Sequence, residues 1–134
     1  VPVVSDAVQN AWLDLYLRGV GTAPSSLELA LFFGDPSDGG TELTSDGGYA
    51  RATINASDWA AADAGSSVAG PIDFADATDA WSDTATHWCL VDGGDLGPSG
   101  ALTDPLEVTG PGAVSLTSIT VFFADTVVAD DSDS

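Results

Sequence analysis

The stretch Leu27-Glu28-Leu29-Ala30-Leu31-Phe32-Phe33 decides how the rest of the chain is read. Side chains alternate across a strand, so Leu27, Leu29, Leu31 and Phe33 share one strongly apolar face. Gly34-Asp35-Pro36-Ser37-Asp38-Gly39-Gly40 then ends the strand, because Pro and paired Gly do not continue a ladder. Thr86-His87-Trp88-Cys89-Leu90-Val91 has the same character and reads as a second buried strand, ended by Asp92-Gly93-Gly94-Asp95.

Outward from these two strands the pattern repeats in short pieces. Tyr49 to Ile54 reads as a strand after the Asp46-Gly47-Gly48 turn, and Ile72 and Phe74 mark another. Ala101-Leu102-Thr103 and Leu106-Glu107-Val108 read as short strands split by Asp104-Pro105. Val114 to Ala124 reads as the longest strand, with Ile119, Val121 and Phe123 on one face and Leu116 and Phe122 on the other. Residues 56–70 around Trp59 are rich in Ala, Gly, Ser and Asp and read as a loop or short helix. Before all of these, Ser5 and Asp6 offer an N-cap, Val4, Val8, Trp12 and Leu15 follow at helical spacing, and Arg18 with Gly19 forms a stop. These signals predict one short N-terminal helix over 6–18. Many short strands with turns every eight to twelve residues predict a mainly β fold, a single antiparallel β-sandwich of jelly-roll type. The expected domain spans 1–124, followed by an acidic tail at 125–134.

Charge sets the other boundary condition. The 134 residues carry 21 Asp+Glu against 2 Lys+Arg, a net charge of −19. Both cations are arginine, Arg18 and Arg51, and all but three of the acids are Asp. A surface short of cations does not bind nucleic acid or anionic membrane. With 44% hydrophobic residues and four Trp, the chain is too apolar to remain disordered. The carboxylates spread along the chain and repel one another in dilute buffer. At molar salt the Debye length falls to about 3 Å and that repulsion is screened. Absent lysine, abundant Asp and many small residues therefore predict a protein of a saline habitat. Twenty of the hydrophobic residues are alanine, so the core is modest, and part of the stability is expected from association. No run of 18 apolar residues predicts a membrane span, and the Val1-Pro2-Val3-Val4 start lacks a basic signal-peptide region, so synthesis in the cytoplasm is the expectation.

The order of the pieces carries a resemblance. Leu31-Phe32-Phe33-Gly34-Asp35-Pro36 is followed by Gly40-Thr41-Glu42 and Gly48-Tyr49-Ala50-Arg51. Ile72-Asp73-Phe74, Asp79-Ala80-Trp81, Thr86-His87-Trp88 and Ala101-Leu102-Thr103-Asp104-Pro105 come next, before the closing apolar strand. Over roughly residues 12–124 this set resembles the small tailed-phage virion proteins described as tail-fibre-like, in a version similar to that of a haloarchaeal tailed virus. The resemblance implies a location on the virion surface. The longer N-terminal helix and the acidic tail depart from it, and the helix reads as an attachment element.

Candidate chemistry is sparse. His87 is the single histidine; no Gly-x-Ser-x-Gly elbow accompanies it, so a hydrogen-bonded structural role outweighs a Ser-His-Asp site, and no catalytic residue is expected. Cys89, the single cysteine, has no partner for an internal disulfide, and His87 with Cys89 supplies too few ligands for structural zinc. Asp35 and Asp38, and Asp92 and Asp95, put oxygen ligands in Gly-rich turns, yet match no EF-hand. Loose counter-ion association is expected there, and no cofactor. Arg51 beside Tyr49 reads as a structural ion pair that fixes the Gly47-Gly48 turn. Asn55-Ala56-Ser57 matches a glycosylation acceptor by chance. Trp12, Tyr16, Trp59 and Trp81 are the interface or receptor candidates, whereas Trp88 reads as core.

Together these readings predict a structural virion protein of a tailed virus infecting a halophile. It would form a trimer or other closed ring on the virion surface, as capsid decoration, vertex turret or fibre component, with other virion proteins as partners. A receptor-binding module for a host glycan or surface layer is the alternative, and a hydrolase ranks below both.

Overall fold

The computed structural model describes residues 4–122; the expected acidic tail at 125–134, with Phe123 and Ala124, lies outside them. Helix α1 spans Asp6–Leu13 and continues as a π-helical turn over Asp14–Arg18. Ser5 is the N-cap, its Oγ accepting the Val8 N–H at 3.3 Å, and Gly19 closes the end in the left-handed region at φ 66°. The boundaries follow the sequence expectation, while the π geometry of the last turn carries no obvious local signal.

Among the described residues nine strands follow: β1 Ser26–Phe33, β2 Thr41–Glu42, β3 Ala52–Asn55, β4 Ser66–Ala69, β5 Ile72–Ala77, β6 Ala85–Asp92, β7 Asp95–Leu106, β8 Gly112–Leu116 and β9 Ile119–Phe122. All their pairings are antiparallel. β1 pairs with β6, and β6 with β7. The other edge of β1 is shared, with β3 along Ser26–Leu29 and β2 along Phe32–Phe33. The second layer is one bent ribbon. β4 pairs with β9 and β5 with β8, and the same register runs from Ala69↔Ile119 to Ile72↔Leu116 across the bend. The main core lies between the layers, where Leu29, Leu31, Ile54, Trp88 and Leu90 meet Ala69, Ile72, Phe74, Val114 and Ile119. The result is a β-sandwich with one N-terminal helix.

Four local expectations are corrected. β1 is covered on both faces, not one: Ala30 and Phe32 are buried in a second cluster with Cys89 and Val91, while Phe33 is exposed. The segment from Asp95 to Leu106 is a single strand, the longest of the nine, despite Pro98 and Pro105. It lies at the edge of its sheet, where a missing N–H removes no ladder bond on the open side. Asp92 and Asp95 face each other across Gly93 and Gly94, both at positive φ, so this turn is a tight hairpin linking β6 to β7. The apolar segment from Val114 does not run unbroken; it changes partner strand at Thr117-Ser118. Tyr49 to Arg51 precede β3, which begins at Ala52.

Candidate interaction surface

The N-terminal helix turns only part of its apolar surface inward. Val8 is buried, and the Ser5 N–H donates to the Leu96 carbonyl at 2.8 Å, which fixes the helix start to β7. Trp12, one turn beyond Val8 and an expected interface candidate, is 38% exposed. Beyond it Tyr16 is 88% exposed and Leu17 is 69% exposed, with Leu13 and Val20 also open to solvent. Leu13, Tyr16 and Leu17 are three and four residues apart, the spacing of neighbours on a helix, and Val20 follows just beyond the Gly19 stop. Five large hydrophobic residues exposed within one short segment make it a candidate interaction surface.

A groove of about 520 Å³ opens beside this stripe and shares Trp12 with it. Its walls come from both layers, Leu27 and Leu90 from the large sheet, Val121 and Phe122 from the ribbon, with Trp59 alongside. Phe122 is 68% exposed at the rim. Ser66 and Ser67 also line the groove, but their hydroxyls already donate to the carbonyls of Asp63 at 3.1 Å and Ala60 at 2.8 Å. The groove is thus apolar in character as well as composition. A glycan needs a ring of hydrogen-bond partners, and this lining offers it little beyond aromatic faces.

Of the four aromatic candidates, the structure brings Trp12 and Trp59 to the groove and leaves Tyr16 on the open stripe. Trp81 is the correction. Only 7% exposed, it packs edge-to-face on Tyr49 with ring centroids 5.4 Å apart, inside the main core. Its polar sequence neighbours gave no hint of this, because the Asp46-Gly47-Gly48 turn folds over it from a distant part of the chain. A Cβ on Gly47 would lie 2.7 Å from the Trp81 ring, so this turn requires glycine. Leu13 and Leu17, outside the set of sequence candidates, lie on the same helix as Tyr16, and their three- and four-residue spacing from one another and from Tyr16 was a readable signal.

The remaining candidates have structural partners. Arg51 forms the expected ion pair: its Nε and Nη2 donate to the two Glu42 oxygens at 2.9 and 2.8 Å, and Nη1 reaches Glu28 at 3.5 Å. The arginine beside it holds the Glu42 carboxyl below its ordinary range, against an opposing effect of partial burial. The pair joins β1, β2 and the approach to β3; the Gly47 turn is instead tied by the Thr78 N–H to the Gly47 carbonyl at 2.8 Å. His87 is half-buried, its Nδ1 2.9 Å from the Thr86 hydroxyl, and among the described residues neither a serine nor a carboxylate hydrogen-bonds its ring. Asp35 accepts both the N–H and the hydroxyl of Ser37, at 2.9 and 2.7 Å, which lowers its pKa and uses one of its oxygens. Among the described residues no three of His, Cys, Asp and Glu gather into a group able to hold a metal ion. Asn55 lies in a capping box with Asp58, whose carboxylate accepts the Asn55 N–H at 2.8 Å. No helix among the described residues is long and apolar enough to cross a membrane.

Two comparisons concern the chain as a whole. A family model described as podophage GP4 fiber I protein gp80 matches residues 3–121. No curated protein matches the sequence.

Proposed function

Because the chain belongs to the podophage GP4 fibre I protein gp80 family, we propose that it is a non-enzymatic structural component on the surface of a tailed virus, built to assemble through its N-terminal apolar face. The family match over 119 residues carries this reading. The fold agrees with it, since an extended apolar surface sits on an otherwise acidic sandwich. The finer picture is a symmetric oligomer, as capsid decoration, turret or fibre component, on a haloarchaeal virus. Its support is the charge of −19 without lysine, which favours a protein hydrated in brine. The predominantly apolar lining of the groove, with the Ser66 and Ser67 hydroxyls already donating to carbonyls, ranks assembly above glycan recognition.

Mass spectrometry of purified virions, with antibody labelling of the particles under the electron microscope, tests the reading. Label at a regular surface position is expected. Particles that lack the protein would overturn it.

A further inference from the structure

We propose that the exposed helix stripe docks into the apolar groove of a second copy of this chain. The proposal rests on the reading of the chain as an assembling virion protein and names the surface that assembles. The chain carries both halves of the contact. Leu13, Tyr16 and Leu17 project from the helix, and the groove between the layers is walled by apolar and aromatic side chains. The two adjoin at Trp12, so one continuous apolar face presents a ridge beside a furrow.

Charge selects the occupant. Residues 7–27 contain Asp14 and Arg18 as their only charged side chains, and these pair at 3.2 Å, so the segment is neutral. Among the described residues no charged side chain lines the groove. The other 20 carboxylates of the chain lie elsewhere in the sequence, against Arg51 alone. A cationic partner would be drawn to those carboxylates and would gain nothing from this face. A second, equally acidic copy can approach closely where the facing side chains are uncharged or already paired, and among the described residues the stripe and the groove lining meet that condition. Aromatic anchors in a desolvated furrow are also what a tight contact needs. Salt discriminates further: screening strengthens contact between like-charged copies and weakens binding to a cation-rich partner.

Sedimentation of the full chain between about 0.1 M and about 1 M salt tests this. The mass is expected to rise from 13.5 kDa to a multiple of it as salt increases. The double variant Tyr16→Asp/Leu17→Asp alters two solvent-exposed side chains, so its fold, checked by circular dichroism, is expected to persist. Its association should weaken roughly tenfold or more. Independently, a mixture of Leu17→Cys chains and Ser67→Cys chains should cross-link between copies with a bifunctional thiol reagent, because residue 67 lines the groove. A monomer at every salt concentration overturns the proposal, as does an oligomer indifferent to the double variant. A monomeric wild type whose double variant fails to enter virions would assign the face to another virion protein; that result overturns the second-copy contact and leaves the virion reading intact. Absence from virions with self-association preserved would do the reverse.

Discussion

The Tyr49 hydroxyl accepts the Leu31 N–H at 3.0 Å, in the interval of β1 between the stretches paired with β3 and β2. A side chain thereby takes the place of a missing ladder partner. The same hydroxyl donates to Glu42 at 2.8 Å, which couples the strand gap to the Arg51 ion pair.

Tyr49→Phe should therefore destabilise the fold by about 1–3 kcal/mol, the cost of leaving the buried Leu31 N–H without an acceptor. Chemical denaturation measures it. A variant as stable as the wild type would show that the hydroxyl contributes nothing to closing β1.

Glu42→Gln should reveal a pH-dependent contribution. Arg51 and Tyr49 favour the charged carboxylate, so the folded-state pKa of Glu42 is depressed. That stabilisation is fully present above the ordinary carboxylate value and is lost as pH falls through the folded value. The variant should be about 1–2 kcal/mol less stable than wild type at neutral pH, and the gap should shrink as pH falls below the ordinary carboxylate range and through the depressed folded-state value. Thermal melts of both proteins across that range give the difference, which a gap of constant size would contradict.

The bend in the ribbon depends on Gly70. A Cβ there would collide with the Thr117 carbonyl oxygen and lie 2.8 Å from the Ser118 Cα. Gly70→Ala should cost roughly 2–3 kcal/mol through forced separation of the two halves. Gly110→Ala, where a Cβ meets open space, is the control and should stay within about 0.5 kcal/mol of wild type. Equal effects at both positions would remove the packing explanation.

Thermal stability should rise steeply between about 0.1 M and about 1 M salt, as the Debye length shrinks from about 10 Å to about 3 Å. The origin is self-repulsion of a chain at −19. A scanning calorimetry series in a neutral salt tests this, and a flat response would argue against adaptation to brine.

Cys89 should be inert in the native protein. It is fully buried, and burial pushes its thiol up to about 11, so little thiolate exists at neutral pH. Labelling with a chromogenic disulfide reagent should proceed only as fast as the protein opens. Rapid labelling under native conditions would show an opening of β6 that the packing does not anticipate.

Much of the fold was legible in the chain. The alternation around Leu29 and Leu31, the Ser5 cap, the Gly19 stop and the glycine turns are local patterns, and each produced the element it predicted. The candidate surface was legible in part. Trp12 and Tyr16 were recognisable as large aromatics on a short helix, but Leu13 and Leu17 were passed over because an apolar helix residue is ordinarily assumed to face a core. Trp81 was misplaced because its polar neighbours predicted exposure, whereas a glycine turn more than thirty residues earlier covers it.

By itself the sequence determined the strand-rich class, the helix limits and the acidic, cation-poor character, because backbone preference, capping and net charge are set by a residue and its near neighbours. Tertiary structure alone decided that both faces of β1 are covered, that Pro98 and Pro105 sit harmlessly in an edge strand, and that Glu42, Tyr49 and Arg51 converge on one strand gap. It also decided that the helix stripe stays uncovered beside an apolar groove. The physical reason is common to all four: burial and hydrogen-bond partnership depend on which distant strands become neighbours, and that order is a property of the whole chain's packing.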